Sequence, residues 1–270
     1  MATTATQLAA KSTGIPARIE RTRVEKGTVA VWYFGGASYT IKTPTTIIYL
    51  DPYIGETSGR GTPVPFYPLE VKRVDVAICS HDHGDHTDKE TLTAWRDYLT
   101  PPVVGPAASI ALARECNYPE DKLRTLEHGQ STQVNDVKIT ALKAVDPLAQ
   151  GANSHLIQAE GVSLLHGGDT LYFKEMKDEL GGRDIDVTFL SIGYNPPGYN
   201  YYLTESDAGR AARDIGTRVL VPGHWDIWKQ FALDPKRIKT VANWYAPDLD
   251  VRIPRWGQKM VFSARGKERN

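Results

Sequence analysis

Cysteine is scarce in this chain: Cys79, in an apolar run, and Cys116, in a helix-like stretch, are the only two. Two thiols cannot build a disulfide framework, and as small buried hydrophobes they fit a reducing compartment. No apolar run approaches the roughly 18 residues of a membrane helix, so no membrane span is expected. Neither sign of charge is in excess, since 32 Lys and Arg balance 32 Asp and Glu, and nothing favours nucleic acid or an anionic surface as the main partner. No repeat of fixed period is visible. Acidic residues are missing from Met1 to Ile19, a stretch rich in Ala and Thr with Lys11 and Arg18. It faintly resembles an organellar presequence but lacks the apolar core of a secretory signal, and residues 1–26 are expected to be flexible or partly ordered.

What is present is enough apolar residue, 41% of 270, for one sizeable core, and a single domain over 27–270 is expected. Thr28–Tyr33, Ser38–Lys42 and Thr45–Leu50 read as an antiparallel meander ending at Asp51. A Gly- and Pro-rich loop, Tyr53 to Pro68, leads to the apolar strand Val74–Cys79. Helical spacing follows over Asp88–Leu99 and Ala107–Glu115, with strands at 103–105, 134–142, 154–157 and 162–165. The second half repeats the theme with strands at 186–192 and 217–221, helices over 204–215 and 235–242, and strands near Val251 and Val261. Strands and then helices, twice over, imply an α/β architecture of two mixed sheets packed face to face with helices outside. Sites would sit where strand ends from both halves converge.

One stretch dominates the chemistry. Ser80-His81-Asp82-His83-Gly84-Asp85-His86 puts three imidazoles and two carboxylates into six consecutive positions directly after an apolar strand, and neutral imidazole beside carboxylate is a ligand set for a divalent metal. One loop cannot fill a coordination shell. Three more candidates stand just beyond predicted strands: Asp146, Asp169 after Gly167-Gly168, and His224 after Gly223, where glycine permits close backbone approach. Asp146 also reads as a turn residue before Pro147. His166 is a candidate for orienting a ligand from behind, His128 for the surface, and His155 for core packing or a substrate contact. Tyr194, Asn195 and Tyr199, in the Tyr-rich segment 194–202, and Arg60, in the Gly/Pro loop, are further candidates to touch substrate.

The order His81-x-His83-x-Asp85-His86, then Gly168-Asp169, then Gly223-His224 resembles the ligand series of the metallo-β-lactamase superfamily, with Gly35-Gly-Ala-Ser38 and Ile47–Pro52 similar to its first hairpins. Within it, Ser80–Thr87, Val104-Gly105-Pro106, Ile192–Pro196 and Gly223–Trp228 most resemble the L-ascorbate-6-phosphate lactonase (UlaG) group. The resemblance implies a metallo-β-lactamase-type αββα four-layer sandwich and a cytoplasmic, metal-dependent hydrolase acting on a small molecule. It further implies two divalent ions: His81, His83 and Asp146 at the first, Asp85, His86 and His224 at the second, Asp169 bridging, and Asp51 orienting a ligand histidine. A carboxylate at Asp146, where the wider superfamily has His, hardens the first site, so manganese suits it as well as zinc and its occupancy need not be full. The implied reaction is attack by a metal-bound hydroxide on a lactone or ester, with Asp85 taking the proton and Asp169 holding the metals together. A basic residue near Pro197, expected for a phosphorylated substrate in that group, is missing. The alternatives are a binuclear phosphodiesterase and, outside catalysis, a metal- or sugar-binding regulatory protein. The pattern does not decide between monomer and homo-oligomer.

Overall fold

The computed structural model describes residues 14–55 and 60–264; the expectation for residues 1–13 lies outside them. Order begins earlier than Gly27. Pro16, whose missing N–H is harmless in a first turn, opens helix α1 (Ile15–Arg21), and Ile19 is driven fully into an apolar cluster with Trp32 and Tyr49. Seven residues with one deeply buried side chain are too short a signal for periodicity to reveal.

Strands β1 (Thr28–Tyr33), β2 (Tyr39–Lys42) and β3 (Ile47–Leu50) form the antiparallel meander, and β4 (Val76–Ile78) then lies parallel to β3. Helix α2 (Lys89–Tyr98) starts at Asp88, whose carboxylate accepts from the Glu90 and Thr91 amides. After it come β5 (Val103–Gly105), α3 (Ala107–Glu115), β6 (Leu123–Thr125), β7 (Ser131–Val134) and β8 (Val137–Lys143). The single strand expected over 134–142 is therefore a hairpin, turned at Asn135-Asp136 with Asn135 at φ 51°. The chain continues through β9 (Asn153–Ala159), β10 (Val162–His166), α4 (Met176–Leu180), β11 (Val187–Ser191), α5 (Glu205–Ile215), β12 (Val219–Gly223), α6 (Pro235–Tyr245), β13 (Asp250–Val251) and β14 (Lys259–Ser263).

Two sheets of seven strands result, ordered β14-β1-β2-β3-β4-β5-β6 and β13-β12-β11-β10-β9-β8-β7. Each is antiparallel on one side and parallel on the other. Alternation along the strands explains the layering. On β1, Val29 and Val31 enter the core between the sheets, whereas Ala30 and Trp32 meet Leu92 and Trp95 of α2 and Ile110 of α3. On the second sheet, Val162 and Leu164 face inward and Leu165 faces the cluster containing Met176, Ala211 and Ile238 from α4, α5 and α6. This is a four-layer αββα sandwich. Strand β14 leaves the second half of the chain and pairs with β1 at the edge of the first sheet, a return that no local pattern announces. No helix among the described residues is long and apolar enough to cross a membrane.

Candidate metal centre

Asp51 leaves β3, the His loop leaves β4, Asp169 follows β10 and His224 follows β12. Carboxyl ends of strands are where open α/β sheets hold their ligand sites. Two of these residues occupy the left-handed backbone region without being glycine, Asp51 at φ 40° and His224 at φ 65°, at a cost of about 1–3 kcal/mol each. The strain is held by long-range pairing: the Asp51 amide donates to the Ile78 carbonyl and the His224 amide to that of Gly36, each at 2.8 Å. Gly168, at φ 58°, brings the Asp169 turn against the His loop so closely that a Cβ there would sit 2.8 Å from Ser80 Cβ and Oγ. Gly168→Ala is expected to lower stability by about 1–3 kcal/mol and to weaken metal binding, both read by thermal unfolding with and without added zinc. An unchanged melting temperature would show that the contact relaxes freely.

The side chains converge in two adjoining groups, His81 with His83 and Asp169, and Asp85 with His86 and His224, the ligand atoms of each lying within 4.8 Å of one another. His81 Nε2 and His83 Nδ1 are 2.9 Å apart, and Asp146 Oδ2 stands 3.5 Å and 3.7 Å from them. Asp146 Oδ1 accepts from the Leu148 amide at 2.9 Å, so the residue makes the turn before the cleft and aims its other oxygen at the first group. Asp169 Oδ2 lies 3.3 Å from His86 Nε2 and 3.6 Å from His224 Nε2. With its other contacts in the His81 and His83 group, it stands between the two. Asp85 Oδ2 is 3.2 Å from His224 Nε2.

Behind the histidines, Asp51 organises their tautomers. Its fully buried carboxylate accepts from the Ser80 amide, Ser80 Oγ, His86 Nδ1 and His166 Nε2, each at 2.7 Å. Ser80 Oγ in turn receives His81 Nδ1–H at 3.0 Å. Both His81 and His86 are thereby left presenting Nε2 to the cleft. Burial alone would raise the Asp51 carboxyl, but His166 and His86 outweigh it and hold the group far below the usual carboxylate range. Burial pushes the His81 imidazole down to about 3. His86 and His224 go the other way: burial opposes their charge, yet Asp169 and Asp85 keep both above the ordinary histidine value.

Metal ligation needs those nitrogens unprotonated, so uptake at neutral pH is expected to release protons from His86 and His224 and affinity to rise with pH. Titration calorimetry in buffers of different ionisation enthalpy reads this directly; a buffer-independent heat would contradict it. For the same raised values, the two histidines stabilise the metal-free fold below about pH 6.5, and this contribution fades as pH climbs through their folded values.

A fit test comes from the polar atoms themselves. His86 Nε2, His224 Nε2, Asp146 Oδ2 and Asp169 Oδ1 are buried without a hydrogen-bond partner; three belong to residues of the two groups, and Asp146 Oδ2 faces His81 and His83 of the first. Buried polar atoms orphaned together and mixing imidazole nitrogen with carboxylate oxygen suit a divalent cation.

Other expected contacts stand differently. His155 is fully enclosed on β9, opposite Ala141 and His166, and burial pushes it down to about 3, so it is a neutral core residue out of reach of substrate. Arg60 donates Nε, Nη1 and Nη2 to the carbonyls of Thr62, Tyr53 and Phe34 and stacks over Tyr53. It braces its loop instead of reaching the cleft. Asn195 is likewise spent, accepting from the Tyr201 and Tyr202 amides and donating to the Tyr202 carbonyl. Tyr194 and Tyr199 are exposed, and His128 is on the surface.

Three contributors lie in stretches that the sequence marks without giving them a role of their own: Ser80, the hydroxyl between His81 and Asp51; Trp228, whose Nε1 donates to Asp85 Oδ2 at 3.2 Å; and Tyr202, whose ring lies 4.5 Å from that of His224. A cavity of about 600 Å³ between the Thr22–Thr28 segment and β14 holds none of the site residues.

An αββα sandwich that gathers paired His and Asp groups at the ends of its strands is built to hold divalent metal. Residues 46–225 match the Beta-lactamase superfamily domain, and the chain belongs to that superfamily. The Escherichia fergusonii protein named "Probable L-ascorbate-6-phosphate lactonase UlaG" is 26% identical over 271 aligned residues, covering 83% of this chain and 77% of its own. Among solved structures, Igni18, a metallo hydrolase from the archaeon Ignicoccus hospitalis, superposes with a TM-score of 0.73 at 21% identity, covering 88% of this chain and 100% of that one. The metallo-beta-lactamase fold protein YhfI from Bacillus subtilis gives 0.68 at 17%, over 88% and 100%. These two likenesses bear on the fold.

Proposed function

We propose that the protein is a metal-dependent hydrolase that opens a lactone or cleaves an ester of a small substrate in the cytoplasm. One observation carries this reading: four orphaned buried ligand atoms, from His86, His224, Asp146 and Asp169, belong to residues that adjoin one another at the strand ends. His81, His83 and Asp146 would hold one divalent ion, Asp85, His86 and His224 a second, and Asp169 would serve both, with zinc and manganese each suited to the donor set. Such ions, when bound, polarise the bond under attack and make water nucleophilic near neutral pH.

The chain's own residues do the rest. The loops after β4, β10 and β12 fix the donors so that little reorganisation accompanies the reaction. Asp85 receives the proton given up in hydrolysis: burial would raise its carboxyl, but His86 and His224 hold it low, so it is ionised at neutral pH. The Trp228 indole keeps that carboxylate from turning away. No serine or cysteine nucleophile is required. The low identity to the lactonase, and Pro197 where a basic residue would serve a phosphate, leave the substrate open within the ester and lactone class.

The test is a metal assay followed by a panel of lactones, carboxylic esters and phosphodiesters at about pH 7. Turnover of lactones or esters by the metal-loaded protein, lost on chelation, is the expected result. Turnover of phosphodiesters alone would replace this reading with a phosphodiesterase. Stoichiometric metal without turnover of anything would replace it with a metal-binding regulatory protein.

A further inference from the structure

The segment 194–202 holds a ladder of rings that starts on a ligand histidine. Tyr202 lies against His224 with 4.5 Å between ring centroids, Tyr201 follows at 6.3 Å, and Tyr199 stacks on Tyr201 at 5.3 Å with only 16° between planes. Phe231 backs the middle of the ladder at 5.4 Å from Tyr201 and 5.5 Å from Tyr202. Exposure rises outward, from 7% at Tyr202 through a half-buried Tyr201 to 59% at Tyr199. Self-packing of a loop accounts for Tyr202. It does not account for a stacked outer ring left in water.

The rungs are also fixed in place. Asn195 ties the Tyr201 and Tyr202 backbone with three hydrogen bonds, the Tyr199 amide closes a turn on the Pro196 carbonyl at 3.0 Å, and Gly193 lies so close that a Cβ there would meet Tyr202 Cδ2 at 2.6 Å. Rigid, exposed aromatic faces bind planar apolar groups at low entropic cost. Charge points the same way. Among the described residues the ion pairs of Asp85, Asp146 and Asp169 are all with histidines, and Arg60 is turned to the carbonyls of Thr62, Tyr53 and Phe34. Neither feature supplies a cation for a phosphate.

Resting on the hydrolase reading, we propose that Tyr199 and Tyr201 form a subsite beside the metal centre for an aryl group, so that the preferred substrate is an uncharged lactone or ester bearing an aromatic ring next to the bond that is cleaved. The ring of the substrate would lie against the open faces of Tyr201 and Tyr199 on the side toward His224 while its carbonyl reaches the two ligand groups. The hydrolysis is water addition to that carbonyl with breakage of the acyl C–O bond, yielding a carboxylate, an alcohol and one proton.

The experiment compares γ-phenyl-γ-butyrolactone with γ-methyl-γ-butyrolactone on the zinc-loaded full-length protein, with 6-phosphogluconolactone as the phosphorylated competitor. The phenyl lactone is expected to have kcat/KM higher by about tenfold or more, chiefly through KM. Tyr199→Ala and Tyr201→Ala should shrink that ratio to about twofold or less, and Tyr199→Phe, which keeps the ring, should retain it. Equal turnover of the two lactones, a ratio that survives both alanine changes, or preference for the phosphorylated lactone would overturn the subsite and leave the hydrolase reading standing. If no lactone or ester is turned over, the hydrolase reading falls, and calorimetric binding of 4-hydroxy-4-phenylbutanoate against 4-hydroxypentanoate decides the subsite. Aryl acid bound about tenfold tighter, with the margin lost in Tyr199→Ala, supports it, and equal affinities overturn it.

Discussion

Replacing Asp169 by asparagine lowers kcat/KM on any hydrolysed ester or lactone by on the order of a thousandfold, the equivalent of the several kcal/mol that paired ions contribute to such a reaction. The size of the effect follows from where this carboxylate stands. Its Oδ2 is 3.3 Å from His86 Nε2 and 3.6 Å from His224 Nε2, and the residue also groups with His81 and His83. One neutralised side chain therefore weakens both metal positions at once. Burial would raise its carboxyl, but His224 and His86 hold it well below the normal range, so it stands ionised in the wild type and the amide removes a full charge. Metal content, measured by elemental analysis after desalting, is expected to fall together with turnover. Asp82→Asn makes the natural control, because Asp82 sits in the same loop but accepts from the Gln150 amide at 3.1 Å; its metal content and kcat/KM should stay close to wild type. Wild-type metal content and turnover in Asp169→Asn would remove this residue from the centre.

The second large effect belongs to Asp51→Asn, which acts through stability as well as through the metals. Three donors, Ser80 Oγ, His86 Nδ1 and His166 Nε2, share Oδ2 of Asp51, and the Ser80 amide takes Oδ1. An asparagine has one acceptor oxygen and turns an N–H₂ toward the remaining donors. Breaking a buried charged network of this kind costs about 3–5 kcal/mol, which for a chain of this size lowers the melting temperature by about 10 °C or more. Metal affinity should fall by about 10- to 100-fold, because His86 and His81 lose the partners that fix their tautomers. The pH dependence has a definite sign. A carboxyl held below its unfolded value stabilises the native state above about pH 4, where the unfolded chain would also be ionised, and this stabilisation is lost as pH falls below that value. The gap in stability between wild type and Asp51→Asn should then narrow as pH falls below about 4. Urea titrations at several pH values read it, and a gap that widened in acid would assign the stability to another group.

Much of this was legible in the order of residues, and the illegible part has physical causes. The His81–His86 loop stands out because five potential ligands fall within six positions, and Asp146, Asp169 and His224 because each follows an apolar strand. Asp51 was visible only through the resemblance, as the carboxylate that orients a ligand histidine. The roles of Ser80, Trp228 and Tyr202 were not, although the stretches that hold them were: those roles come from contacts such as Trp228 with Asp85, 143 positions apart, and a lone Ser or aromatic residue has no periodicity to betray it. Arg60 misled for the opposite reason, and His155, read as core packing or a substrate contact, takes the core. A cation in a Gly-rich loop and an imidazole near a cleft look available, yet one is consumed by three backbone carbonyls and the other is sealed between sheets. The hairpin at Asn135-Asp136 was missed because apolar residues on both sides blended into one run. The two-sheet layering, by contrast, follows from strand alternation and strand count alone.

The pairing of β14 with β1 has a bearing on how the protein is made. β1 is made before β14 and before every strand between them, so the outer edge of β1 goes without its neighbour while all of those are synthesised. An open edge of that length, flanked by Val29 and Val31, is a place where nascent chains can pair with each other instead. Conditions that slow completion of the C-terminal region should therefore favour inclusion bodies over active protein, even though every ligand of the centre up to His224 has already been synthesised.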